Sequence, residues 1–139
     1  MKRSQFDDRP VKNQAKRRLV DMFKRFGAFV RQTARQSMKK SKKPAAAGKP
    51  PAVHKGLLKR LLYFWVDTKN PQLLVGPAKI NGAVSPNEPE ALEKGGWTRV
   101  KDRGTTRRAK IPAHPFMGPA VAKEKKHLPA IWSRAVRSS

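Results

Sequence analysis

The chain has 139 residues, with 33 Lys and Arg against 9 Asp and Glu and a formal net charge of +24. Its hydrophobic fraction, 37%, allows one modest core but not a membrane span, because no apolar run approaches the ~18–20 residues a span needs. With no Cys there is no disulfide framework, thiol nucleophile or cysteine metal site, and the basic N-terminus lacks the apolar segment of a secretory signal.

Residues 10–38 are predicted to form one long helix. Pro10 suits its first turn, and Asp7 and Asp8 stand where negative charge favours the positive end of the helix dipole. Ala15, Leu19, Met22, Phe23, Phe26, Val30 and Ala34 recur at spacings of three and four, defining one apolar stripe. Gly27 on this helix marks a bend or a close crossing. From Lys39 to Lys55 the composition shifts to Lys, Pro, Ala and Gly, which cannot bury a core and reads as an extended basic loop. Fully extended, such a segment spans up to ~55 Å, enough to reach a neighbour.

Gly56 opens a helical turn through Lys59. LLYFWV at 61–66 and QLLVGP at 72–77 are predicted strands joined by the turn-forming residues Asp67, Asn70 and Pro71. Alternation puts Tyr63 and Trp65 on one face and Phe64 on the other. Residues 81–89 read as a loop, and EALEKGG at 90–96 as a short helix stopped by Gly95, with Glu88, Glu90 and Glu93 on its polar face. WTRV at 97–100 and AKI at 109–111 are short strands around a polar turn, 101–108. A last helix over about 118–137 carries Val121, Leu128, Ile131, Trp132 and Val136 as its apolar positions, and Pro129 kinks or splits it. The fold class is α+β: a long N-terminal helix, a small antiparallel sheet with a central hairpin, and a C-terminal helix. The chain reads as one domain over 1–139, divided into a basic helix (1–38), the extended basic loop (39–55), a β-rich region with a short helix (56–111) and a C-terminal helical segment (112–139).

The charge is concentrated at the front. Residues 1–60 hold 19 Lys and Arg against 3 acids, and residues 61–139 hold 14 against 6. A field of this size attracts polyanions, with nucleic acid the obvious candidate, set against the plainer reading of a solvated basic surface. Lys39, Lys40, Lys42 and Lys43 are the candidate contacts to DNA or an acidic partner, because neither the helix stripe nor the dipole at the helix end explains four of them. No catalytic set stands out: there is no phosphate-binding glycine loop and no nucleophile elbow. His54, His114 and His127 lack zinc-ligand spacing, and no cofactor is implied.

The order of the segments carries a resemblance. GAFVRQTARQSMKKSKKPAAAGKPPAVHKGLLKRLLYFWVD is followed by LLVGPAKI, then EALEKGG, then HPFMGPAVAKEKKHLPAIW. This order resembles the minor head–tail components of tailed bacteriophages, the neck and tail-completion family. Such proteins show a long helix ending in S-x-x-K, a G-x-P-P loop, G-x-L-K-R, V-V-G-P, L-E-x-G-G and R-P-F-M-G-P-A-L. The matching residues here are Gly48, Pro50, Pro51, Gly56, Leu58, Lys59, Arg60, Val75, Gly76, Pro77, Leu92, Glu93, Gly95 and Gly96, then Pro115, Phe116, Met117, Gly118, Pro119 and Ala120. The chain departs from the pattern at His114, where Arg is expected, and at Val121, where Leu is commoner. The resemblance covers about residues 25–135.

It implies a structural virion protein, assembled in the host cytoplasm and located at the head–tail interface, in a ring of about six or twelve copies. The implied partners are further copies of itself, a portal, adaptor or head-closure ring, tail terminator or tube proteins, and double-stranded DNA in the channel. No membrane and no enzymatic activity are expected. Pro115–Pro119 is expected to act as a rigid structural motif, with Phe116 and Met117 buried against the hairpin. The alternative is a standalone basic nucleic-acid binder of the ribosomal or nucleoid type.

Overall fold

The computed structural model describes residues 7–53, 56–78 and 88–137. Within these residues the α+β architecture is observed, organised around one spine. Helix α1, Arg9–Ser37, has Pro10 in its first turn as expected, with Asp7 accepting from the Arg9 backbone and guanidinium at 3.1 and 2.9 Å. The guanidinium holds the exposed Asp7 carboxyl below its ordinary range. The first hairpin and the two C-terminal helices all pack on α1.

The buried side of α1 is Val20, Phe26, Gly27, Val30 and Ala34, continued by Met38 at its C-cap. The predicted stripe is right from Phe26 onward. Ala15 is exposed, as are all the residues of α1 up to Arg17, and Leu19, Met22 and Phe23 are only half-buried, with Val20, off the predicted stripe, buried beside them.

Helix α2, Leu57–Arg60, leads into β1, Leu62–Asp67, which pairs antiparallel with β2, Gln72–Pro77. Asp67 Oδ1 accepts from the amides of Lys69 and Asn70 at 2.8 and 3.2 Å and so shapes the turn. Leu62, Phe64 and Val66 face α1 together with their cross-strand partners Pro77, Val75 and Leu73, while Tyr63, Trp65 and Leu74 face away. Gly27 is the seat of this packing. A Cβ there would lie 2.8 Å from both Leu73 Cδ1 and Phe64 Cδ2 and 3.0 Å from Phe64 Cγ, so helix and hairpin approach through the missing side chain. Arg31 fastens the same junction, its Nε donating to the Leu62 carbonyl at 2.6 Å. Gly27→Ala is expected to destabilise by about 1–2 kcal/mol, overpacking of ~1–3 kcal/mol outweighing the ~1 kcal/mol of regained helix propensity. A thermal melt at or above the parent's would mean that the hairpin steps back freely.

Helix α3, Glu88–Lys94, precedes a second hairpin of β3, Gly96–Asp102, and β4, Thr105–Ile111. The expected single sheet is thus two separate two-stranded ribbons. The second is also longer than predicted, because the residues read as a turn at 101–108 are mostly strand. Only Arg103 and Gly104 turn, with φ of 46° and 85°, the positive pair of a type I′ connection.

The last helix is split as Pro129 requires, into α4, Met117–Lys125, and α5, Leu128–Arg137. Its inward positions are Ala120, Glu124, Ile131 and Ala135. Val121, Trp132 and Val136, expected in the core, are exposed. Small alanines let α4 and α5 lie close to α1, which turns the larger apolar positions outward. Glu124, although buried, accepts from the Thr33 hydroxyl at 2.5 Å. The core consists of Phe26, Val30, Ala34, Met38, Val53, Leu62, Phe116, Ala120 and Ile131.

Candidate assembly and nucleic-acid surfaces

Lys39, Lys40, Lys42 and Lys43 are all exposed at the C-terminal end of α1. The segment that carries them does not reach outward as an extended arm. Lys40 bridges Val53, whose amide donates to the Lys39 carbonyl at 3.0 Å, so the loop closes on itself. Its middle is tied to the body as well: Gly48 N donates to Ala113 O at 2.8 Å, and His114 Nδ1 stands 3.0 Å from Lys49 O. His114, where the resembled pattern has Arg, therefore holds this loop. Entropy is not spent on a free tether because buried Val53 anchors the far end of the loop in the core. The four lysines form a compact charged knuckle rather than a reaching strand.

The Pro115–Pro119 motif is structural, and its organising group lies 23 residues upstream. The Glu93 carboxylate accepts from Phe116 N and Met117 N through Oε2, at 2.9 and 3.0 Å, and from Gly118 N through Oε1, at 2.7 Å. One carboxylate thus satisfies three amides at the start of α4, where both the unpaired N–H groups and the helix dipole favour an anion. A Cβ on Gly118 would lie 3.0 Å from Glu93 Oε1, so a larger residue there would press on the carboxylate. Gly95, at φ +76°, turns the chain out of α3 so closely that a Cβ would lie 2.9 Å from the Ala113 amide nitrogen. His114 N donates to Leu92 O at 2.6 Å beside it. The LEKGG and HPFMGP segments are therefore two halves of one clasp. Phe116 is buried in the core, whereas Met117 is only half-buried and Gly118 and Pro119 are exposed.

Two other surfaces stand out. The outer face of β1–β2 presents Tyr63, Trp65 and Leu74 at 52, 59 and 62% exposure. The register sets Trp65 directly opposite Leu74, so these form a contiguous apolar strip. The outer face of β3–β4 carries Trp97, Arg99 and Lys101 opposite Lys110, Arg108 and Thr106. All six are exposed, and the Arg108 guanidinium lies 5.1 Å from the Trp97 ring centroid. The predicted polar turn concealed this face. Its signal was present in the sequence as alternate cations, Arg99 and Lys101 on one strand and Arg108 and Lys110 on the other, once the turn is shortened to two residues.

A cleft of about 530 Å³ beside α1 is lined by Arg31, Arg35 and Lys59 with Gln32, Gln36 and Ala28. Its lining is that of an anion-attracting surface, three cations and two amides with no acid among them. Among the described residues no group of three His, Asp or Glu side chains could hold a metal ion, and His54 lies outside those residues. No helix among them is long and apolar enough to cross a membrane. No family model matches the chain, and no curated protein or solved structure matches it.

Proposed function

We propose that this chain is a structural component of the neck or tail-completion ring that joins the DNA-filled head of a tailed bacteriophage to its tail. The observation that carries the reading is the exposed strip Tyr63–Trp65–Leu74 on a two-stranded hairpin that is held rigidly against α1. On a chain this highly charged, a contiguous apolar strip marks a surface made to be covered. Among the described residues neither strand of the hairpin pairs with a third strand, which suits extension by a neighbour. Repeating that contact from copy to copy around an axis closes a ring. The positive field suits a channel that passes DNA, with Lys39, Lys40, Lys42 and Lys43 facing DNA phosphates or an acidic neighbouring ring. The ordered motifs of the sequence add support, because two of them, LEKGG and HPFMGP, meet in one clasp.

Ring closure takes place on the adjacent head or tail ring. Microscopy of virions should count six or twelve copies at the head–tail junction, and Trp65→Asp should abolish incorporation while leaving the melting temperature of the protomer unchanged. Hundreds of copies over the capsid shell would overturn the reading. A monomer that orders only on binding RNA would favour the ribosomal or nucleoid-type binder, which the basic charge also suits.

A further inference from the structure

We propose that the β3–β4 ribbon is an arm that binds double-stranded DNA through its phosphates, with little regard to sequence. The register places Arg99, Lys101, Arg108 and Lys110 on one face, and Arg99 lies directly opposite Arg108. Like charges facing each other across an antiparallel pair destabilise it, and an isolated two-stranded hairpin is only marginally stable. Between Gly96 and Ile111 the sequence nonetheless holds six cations and one acid. The far half of the ribbon lacks core support, since Lys101 and Arg103 to Arg108 are all exposed. A surface built against its own electrostatics in this way is relieved by an anionic partner.

The geometry selects the partner. Near the base of the ribbon the opposite face is turned toward the body, with Thr98 buried and Val100, Ala109 and Ile111 half-buried, while Arg107 farther out on that face is exposed, so at the base the Arg99 and Lys110 side looks outward. A two-stranded ribbon is one of the elements that the ~12 Å major groove of B-form DNA admits. The deep, narrow major groove of an RNA duplex does not. Single-strand binders present open aromatic faces for bases to stack on, whereas Arg108 lies over the ring of Trp97. The rigid two-residue turn at Arg103–Gly104 puts a further cation at the tip, beside the hydroxyls of Thr105 and Thr106. The inference goes beyond the ring reading and holds for the chain in any state of assembly.

The test is the salt dependence of binding to a short mixed-sequence DNA duplex by the full-length protein. The variant R99Q/K101Q/R108Q/K110Q is expected to lower the log–log salt slope by ~3–4, about one for each lost phosphate contact. The charge-matched variant K39Q/K40Q/K42Q/K43Q should lower it less, and R99K/R108K should leave it unchanged. In the unmutated protein the duplex should protect Lys101 and Lys110 from acylation, a readout independent of any variant's folding. The proposal fails if the ribbon variant keeps the parental slope, or loses no more than the Lys39–Lys43 variant. It also fails if both lysines stay reactive under saturating duplex, or if single strands or an RNA duplex bind more tightly. None of these outcomes bears on the copy number in virions, so this proposal and the ring reading stand or fall separately.

Discussion

Phe116→Ala is expected to destabilise the protein by about 3–5 kcal/mol, the range for truncating a large core aromatic. Phe116 is 1% exposed and packs among Phe26, Val30, Leu62 and Ile131, so it sits where α1, the first hairpin and the C-terminal helices converge. For a chain of this length the loss corresponds to a fall in Tm of more than about 10 °C. A variant melting within a degree or two of the parent would show that the three units do not share a core.

Glu93→Ala is the second large effect, expected at about 2–4 kcal/mol, because hydrogen bonds to a charged group contribute ~1.5–3 kcal/mol each and do not simply add. The three amides it leaves behind, those of Phe116, Met117 and Gly118, have no alternative acceptor nearby in the helix. Glu93→Gln should cost less than Glu93→Ala but more than nothing, since it keeps one acceptor oxygen but aims an amide group at amides. Glu90→Ala is the control. Its exposed pair with Lys94 at 3.0 Å is worth no more than ~0.5 kcal/mol. Equal melting of the Glu93 and Glu90 variants would remove the clasp from the account.

The parts of the fold legible in the sequence are those whose cause is local. The 3.6-residue period from Phe26 to Ala34, the turn chemistry of Asp67 to Pro71, the stop at Gly95 and the break at Pro129 each act within a few residues. What escaped reading depends on distance or on size. The Glu93 cap joins groups 23 to 25 residues apart, and a glutamate on a short helix looks the same whether it faces water or an amide. Ala120 and Ala135 face the core in place of Val121, Trp132 and Val136, because close helix approach rewards small side chains over hydrophobic ones. The second ribbon was hidden because charges on its outer face erase the apolar alternation by which a strand is recognised. Alternation sets Tyr63 and Trp65 on one face as observed, but it does not say which face is covered.

The clasp also sets how force would travel through the molecule. The second ribbon leaves the body just after Glu93 and returns just before Phe116, so the residues at its two feet are the ones that this carboxylate ties together. Mechanically it is a beam clamped at one end. A load on its tip at Arg103 and Gly104 cannot be absorbed by swivelling at the root, where His114 N–Leu92 O and Gly48 N–Ala113 O add two further rivets. The load passes instead into α4, which Glu93 holds by its first turn, and from there into the contact of α4 with α1. Anything gripping the outer end of the ribbon would therefore pull on the spine of the fold and not on a loose flap.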